Sequence, residues 1–271
     1  MATKKWIGTD GSYSTAGNWS PSGVPTNGDT VRLPPGGGAI TSGLNQSAVT
    51  LVDFIVEKGY TAAIASSAAY LQIGVAKVIF EGTGAAWIDV GSSACDFEVN
   101  STQQPTTGNF GLYIKGSAID DIAVTGSSVV GIAVNAGETA TVQDIRVAGA
   151  AASVQCGAGV TLTNSRLSAG KVHLKCAATL VQTYNGETRT SEAGAITTTE
   201  TYGGTLISNS IGTITTNKCY GGTVDFTQSA AVRTVTSTEI YSGATLRIDP
   251  SVVTMTNKPQ LMEPMTLSTS S

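Results

Sequence analysis

Charge is what this sequence has least of. Only 13% of its 271 residues are Asp, Glu, Lys or Arg, about half of the roughly 25% usual in a globular protein. The net charge is −4 and the pI near 5.0. No basic stripe exists to displace counterions, which argues against a nucleic-acid partner. There is one histidine, His173, and the four cysteines (Cys95, Cys156, Cys176 and Cys219) include no Cys-x-x-Cys pair. A zinc site needs closer ligands or more histidines, and no metal or other cofactor is expected. No run approaches the roughly 18 apolar residues of a membrane span, so no membrane partner is expected. Met1-Ala2-Thr3-Lys4-Lys5-Trp6 is a short basic start without an apolar stretch behind it. No secretory signal is read there, and the chain is expected to be made in the cytoplasm. Nothing resembles Gly-x-Ser-x-Gly, and Pro34-Pro35-Gly36-Gly37-Gly38 lacks the Lys-Ser/Thr ending of a phosphate loop. His173, alternating with apolar residues in Lys171-Val172-His173-Leu174-Lys175, reads as a solvent-facing strand residue.

What is present is Gly, Ser, Thr and Ala around a 41% hydrophobic content, enough for a substantial core. Tyr202-Gly203-Gly204-Thr205-Leu206 returns as Tyr220-Gly221-Gly222-Thr223-Val224 and, loosened, as Tyr241-Ser242-Gly243-Ala244-Thr245-Leu246. Tyr184-Asn185-Gly186 precedes them, so the tyrosine recurs at steps of 18, 18 and 21 residues. A unit this short cannot bury its own apolar face, and only stacking on the next copy closes a core. Between the tyrosines lie alternating segments, Ile211 to Thr216 and Val232 to Ser237, which read as half-buried strands. Their Thr positions face water or stack as hydroxyl ladders, and the Gly-Gly pairs supply positive φ at corners. Upstream, Asp121-Ile122-Ala123-Val124 recurs as Asp144-Ile145-Arg146-Val147, and Asn164-Ser165-Arg166-Leu167 continues the series. Coils of unequal length without a strict hexapeptide predict an all-β chain folded as a parallel β-helix, a β-solenoid of right-handed type.

The chain divides into three parts. Residues 1–40 hold two of the three tryptophans, Trp6 and Trp19, with Pro21, Pro25, Pro34 and Pro35, and read as an irregular N-terminal cap or arm. Residues 41–257 form the solenoid, with strands at Val49 to Val56, Tyr70 to Phe80 and Trp87 to Val90 and a possible subdivision near 101–108. Ala62 to Tyr70 admits a helical alternative. Residues 258–271 read as a C-terminal arm leaving the solenoid.

Three constellations carry possible chemistry. Asp121 and Asp144 occupy equivalent repeat positions, so their carboxyls are predicted to stack roughly 5 Å apart. That is the separation of a retaining glycosidase pair, and also the arrangement of corner residues that accept backbone N–H bonds. Tyr184, Tyr202, Tyr220 and Tyr241 form a ladder that pins coil register or binds carbohydrate. Cys156 and Cys176, one coil apart, are placed as stacked reduced thiols or as a disulfide.

Trp6-Ile7-Gly8, Ala16-Gly17-Asn18-Trp19-Ser20 and Val24-Pro25-Thr26-Asn27-Gly28-Asp29-Thr30-Val31 resemble a pattern that opens bacterial and phage surface β-helix proteins. Tyr60-Thr61-Ala62-Ala63-Ile64 with Tyr70-Leu71-Gln72-Ile73-Gly74 is similar to proteins encoded among the structural genes of tailed phages. The resemblance covers about the first third of the chain. Secreted bacterial relatives add a signal peptide and often a membrane anchor, which are not seen here. A phage virion protein needs neither, so the resemblance implies a capsid decoration, or cement, protein: a non-enzymatic homotrimer on the outer surface of the shell, bound to the major capsid protein. Lys4, Lys5, Trp6, Trp19 and Arg32 are the residues expected to make the capsid contact. The alternatives are a tailspike or receptor-binding protein that recognises or hydrolyses host polysaccharide, and a secreted adhesin.

Overall fold

The computed structural model describes residues 1–8, 10–102, 110–192 and 194–262. They form an all-β solenoid of about 11 turns in which nearly every strand pairs in parallel with its counterpart one coil away. One column of strands runs Thr30–Leu33, Asn45–Val56, Leu71–Phe80, Cys95–Val99, Leu112–Val124, Ala140–Val147, Val160–Leu167, Ala177–Thr183, Ile196–Thr201, Ile214–Cys219 and Arg233–Tyr241. A second column stacks Val129–Ile132, Ser153–Cys156, Lys171–Leu174, Glu187–Thr190, Thr205–Ser208, Thr223–Asp225 and Thr245–Arg247. The two repeats read from the sequence are this register. Asp121 pairs with Asp144, Asp144 with Asn164, and the Tyr-Gly-Gly segments close successive coils.

Apolar residues alternate with exposed ones along each strand, as a half-buried strand requires. The alternation slips once per coil. In Ala140–Val147, Val142 points in, Gln143 and Asp144 both face out, and Ile145 and Val147 return inward. The same two-residue outward step occurs at Thr163-Asn164, Thr197-Thr198 and Thr215-Thr216. Two consecutive outward residues turn the strand through a corner, so one continuous strand lines two walls of the core. A second kind of corner is glycine. Gly186, Gly204 and Gly222 adopt φ of +83°, +66° and +68°, and each lies against the carbonyl of the glycine one coil before.

The interior changes character along the axis. From Trp6 to Leu174 it is almost wholly apolar, whereas the later coils bury Thr183, Thr188, Thr190, Thr199, Thr201, Ser208 and Asn217. These bond across and between rungs: Thr183 to Thr188 at 2.8 Å, Thr190 to Ser208 at 3.3 Å and Thr199 to Asn217 at 2.8 Å. Hydroxyl ladders therefore run inside the coil as well as on its surface.

Several expectations are corrected. Residues 1–40 are not an arm: Thr3–Trp6 pairs with Thr30–Leu33 as the first rungs of the sheet, and antiparallel with Trp19–Ser20. Trp6 and Trp19 are 0% and 1% exposed, and with Tyr13 they plug the coil end in edge-to-face contacts of 5.0 and 4.8 Å. Ala62 to Tyr70 forms no helix; Ile64 bridges Ile40 and Ala86, and Ser66 to Ala69 turns back on itself. Of the expected C-terminal arm, Gln260–Met262 pairs with Glu239–Tyr241, and 263–271 lie outside the described residues. The possible subdivision at 101–108 falls mostly on residues 103–109, also outside them, but the strands on either side pair directly and share one core cluster.

Gly204→Ala and Gly137→Ala separate the two costs of a corner glycine. Gly137, at φ +79°, has open space around an added Cβ, whereas at Gly204 that atom meets the Gly186 carbonyl oxygen at 2.5 Å. Gly137→Ala is expected to cost about 1 kcal/mol, from backbone conformation alone. Gly204→Ala is expected to cost at least about 1 kcal/mol more, because two coils must separate. Denaturant unfolding of the two variants measures the difference; equal losses contradict the stacking account.

Candidate functional site

The two-residue corner in each long strand builds an outward column of polar side chains. Reading rung by rung, it runs Thr30, Asp53, Lys77, Asp96, Asp121, Asp144 and Asn164. Two residues further along each strand a second column runs Glu98, Ala123, Arg146, Arg166, Gln182, Glu200, Lys218 and Glu239. Parallel pairing stacks equivalent side chains about 4.8 Å apart. Like charges in such a column repel unless a neighbouring column supplies the counter-ion, and here it does. Arg146 donates from Nε to Asp121 Oδ1 at 3.0 Å and from its terminal nitrogen to Oδ2. Lys77 pairs with Glu98 at 2.6 Å, and Asn164 donates its amide to Asp144 at 3.0 Å.

Asp121 and Asp144 therefore stand on adjacent rungs, as the repeat predicts. Asp121 is held in a two-pronged guanidinium grip and Asp144 by a side-chain amide. The corner-capping role expected for them, through backbone N–H groups, is taken by side chains instead. Asp96 is the first of three consecutive aspartates in this column. Desolvation, and then the negative charges of Asp121 and Asp120, push its pKa above the ordinary aspartate value.

The four tyrosines stack as a ladder on the surface. Ring centroids are 4.7 Å apart for Tyr184 and Tyr202, 4.8 Å for Tyr202 and Tyr220, and 4.5 Å for Tyr220 and Tyr241. Tyr202 and Tyr241 donate their hydroxyls to Glu200 and Glu239, each two residues earlier in the chain. Each stacked pair contributes on the order of 1 kcal/mol to holding adjacent coils in register.

Of the five residues expected to contact a capsid, the structure keeps three on the surface. Lys4 donates its ammonium to the Pro21 and Ser22 carbonyls, tying the first strand to the cap loop. Lys5 and Arg32 face outward as register partners, with Arg32 bonded to Glu57 at 2.7 Å. Trp6 and Trp19 are sealed inside and donate their indole N–H groups to the Gly38 and Tyr13 carbonyls, so their rings cannot meet a partner. The motif around them is structural throughout. Asn18 bonds Asp10 and the Ser12 carbonyl, and Asp29 accepts from the amides of Ala2 and Thr26.

The cysteines are four buried free thiols, with Cys156 and Cys176 close enough to interact electrostatically. They are not register partners, since Cys156 pairs with Leu174. The neighbouring Cys176 thiol, and then burial, push the Cys156 thiol above its ordinary pKa. His173 is half-buried and accepts from or donates to Ser191 at 2.8 Å; burial, then Lys175 and Arg189, lower its pKa. Among the described residues no three His, Cys, Asp or Glu side chains gather in a group able to hold a metal ion. One buried charge went unread in the sequence. Arg233 is 2% exposed and donates to the backbone carbonyls of Ser208, Ser229 and Ala231, while Val232 beside it is 68% exposed. The apolar alternation assigned to this strand has the opposite sense at these two positions.

Removing the Asp96 charge is expected to stabilise the protein at neutral pH. A raised folded-state pKa means that the folded chain binds this proton more tightly than the unfolded chain. Stability from Asp96 is thus present at low pH and lost as pH rises through the folded value. Asp96→Asn should melt at a higher temperature than the parent at pH 7, and the difference should vanish below the ordinary value of 3.8. A variant that melts lower at pH 7 contradicts the repulsion read from the column.

Compared with protein-family models, curated proteins and solved structures, the chain matches none.

Proposed function

We propose that this chain is a structural protein of a tailed-phage virion, a decoration or cement protein that binds the outer surface of the shell formed by the major capsid protein and stabilises it without catalysis. The observation that carries the proposal is the N-terminal cap. Its aromatic plug makes a rigid platform, on which Lys5, the 49%-exposed Ile7 and Arg32 face outward together. An apolar residue beside Lys5 and its neighbour Arg32, the latter paired with Glu57, suits a partly apolar, polar-rimmed protein surface. The resemblance of the cap sequence to virion β-helix proteins supports the same reading. So does the state of Asp121, whose two carboxylate oxygens both accept from Arg146, while one oxygen of Asp144 accepts from Asn164. In this proposal the protein acts as a homotrimer, and each copy adds a weak contact that effective concentration multiplies.

Sedimentation with empty capsids tests it. Saturable binding at hundreds of copies per shell is the expected result, with a trimer in light scattering. Lys5→Glu combined with Ile7→Ser should weaken binding roughly tenfold while leaving the melting temperature unchanged. Trp19→Ala should lose binding and melting temperature together, because it opens the cap. Absence of saturable capsid binding by the parent protein overturns the proposal, and binding to host polysaccharide alone replaces it with receptor recognition.

A further inference from the structure

The tyrosine ladder stops at Tyr184, but the backbone column it belongs to does not. The amides of Thr125, Ala148, Ser168, Tyr184, Tyr202 and Tyr220 each bond the carbonyl at the equivalent place on the preceding coil. Ser168, Ala148 and Thr125 thus hold the positions where further rings would lie. Among the described residues Tyr202 is the one ring stacked on Tyr184, and Tyr184 is 44% exposed. Its other face looks along the axis into a hollow of about 480 Å³, floored by those three small residues and flanked by Arg146 and Arg166. The same two arginines line the adjoining hollow that contains Gln143, Asp144 and Asn164. The two hollows adjoin along the column of Arg146 and Arg166, forming a trough whose far side meets an aromatic face.

The charges in the trough are unequal. Arg146 is neutralised by Asp121, whereas among the described residues Arg166 forms no ion pair. The trough therefore offers one uncompensated guanidinium fork, whose planar geometry fits a carboxylate. Beside it stand an amide pair and a carboxylate suited to hydroxyl groups. Asp120, Asp121 and Asp144 in the same wall oppose a compact anion that concentrates several negative charges at one point, whereas an acidic oligosaccharide spreads its charge at one carboxylate per ring. Rung spacing is about 4.8 Å, so a ring of pyranose size laid on Tyr184 occupies the next step of the stack.

We propose that this trough binds an acidic saccharide. The apolar face of a pyranose ring stacks on Tyr184 and continues the ladder, the sugar carboxylate lies in the fork of Arg166, and hydroxyls reach Gln143, Asn164 and Asp144. No bond is made or broken; the site is for recognition. It occupies the middle coils rather than the cap, so it stands or falls independently of capsid attachment.

Calorimetric titration of the full-length protein with trigalacturonate, maltotriose and sodium sulfate tests it. Trigalacturonate should bind saturably, at least about tenfold tighter than maltotriose, which presents the same ring size without charge. Arg166→Gln should remove that preference, and Tyr184→Ser, which installs the residue already present one coil earlier, should weaken both sugars several-fold. Tyr220→Ser, inside the ladder, serves as the control and should leave sugar affinity unchanged. If Tyr184→Ser proves unstable by melting temperature, Tyr184→Leu takes its place, keeping bulk and losing the ring face. Three results overturn the proposal: no saturable binding of trigalacturonate at millimolar concentration, binding that sulfate abolishes equally in the parent and in Arg166→Gln, or affinities untouched by the Arg166 and Tyr184 substitutions.

Discussion

Every residue in this solenoid must tolerate its own counterpart one coil away. Parallel hydrogen bonding between coils fixes that neighbour at about 4.8 Å, and the register continues almost without interruption from the cap to the last coil. A column of side chains is therefore judged as a stack, and few stacks are free of cost. Flat rings pass the test by lying face to face, as Tyr184, Tyr202 and Tyr220 do, with Tyr241 tilted at the end of the stack. Glycines pass it where the chain turns so tightly that any Cβ would strike a carbonyl. Hydroxyls pass it by bonding to one another, even inside the core. Charges fail it unless the adjacent column carries the opposite sign. The pairs Arg146–Asp121 and Lys77–Glu98 answer that requirement, and Asp96 is where the answer is incomplete. The low charge content follows directly, because each added charge is repeated against its neighbours.

The same constraint makes the ends of the stack special. A first coil has no predecessor, so its strand edge and its open core both face water. Trp6, Trp19 and Tyr13 close the core, and Asp29 holds the amides of Ala2 and Thr26. Tryptophan suits this place because one side chain covers a large apolar area while its N–H reaches a carbonyl on the loop above. The prolines and glycines of the first 40 residues shape that loop rather than free it. Composition alone leaves a segment rich in Trp, Pro and Gly open to two readings, a cap or an arm, and the inward-turned rings of Trp6 and Trp19 make it a cap.

What was legible in the sequence was what repeats. The tyrosine spacing and the Asp-Ile-x-Val pairs gave the coil length, the parallel register, the aromatic ladder and the neighbouring positions of Asp121 and Asp144. What was illegible is what breaks the period. The outward step of two residues at Gln143-Asp144 and Thr215-Thr216 shifts the alternation by one, so a strict period-2 reading loses the inward side partway along each strand. Arg233 is the extreme case. It points inward because the Ser208 carbonyl of the preceding coil and the Ser229 and Ala231 carbonyls just before it in the chain converge on it, and backbone acceptors leave no pattern in the side-chain sequence. Partners that satisfy the corner carboxylates were equally hidden, since Arg146 and Asn164 meet them only across coils.

Function in such a molecule arises where a column changes identity. Within a uniform ladder each side chain spends its contacting faces on its neighbours, and little remains for a ligand. At a change of column the last member keeps one face free, already oriented by the rest of the stack and costing little to hold in place. The solenoid has two such changes of note. One is the cap, where the first rung presents Lys5 and Arg32 in front of a rigid aromatic plug. The other is the step from Ser168 to Tyr184, where a polar trough ends against an open ring beside Arg166, which forms no ion pair among the described residues. A rigid scaffold with recognition at the interruptions of its repeat joins the two proposals without joining their fates: attachment belongs to the first interruption, ligand recognition to the second, and the uninterrupted coils between them keep the two surfaces in fixed relation.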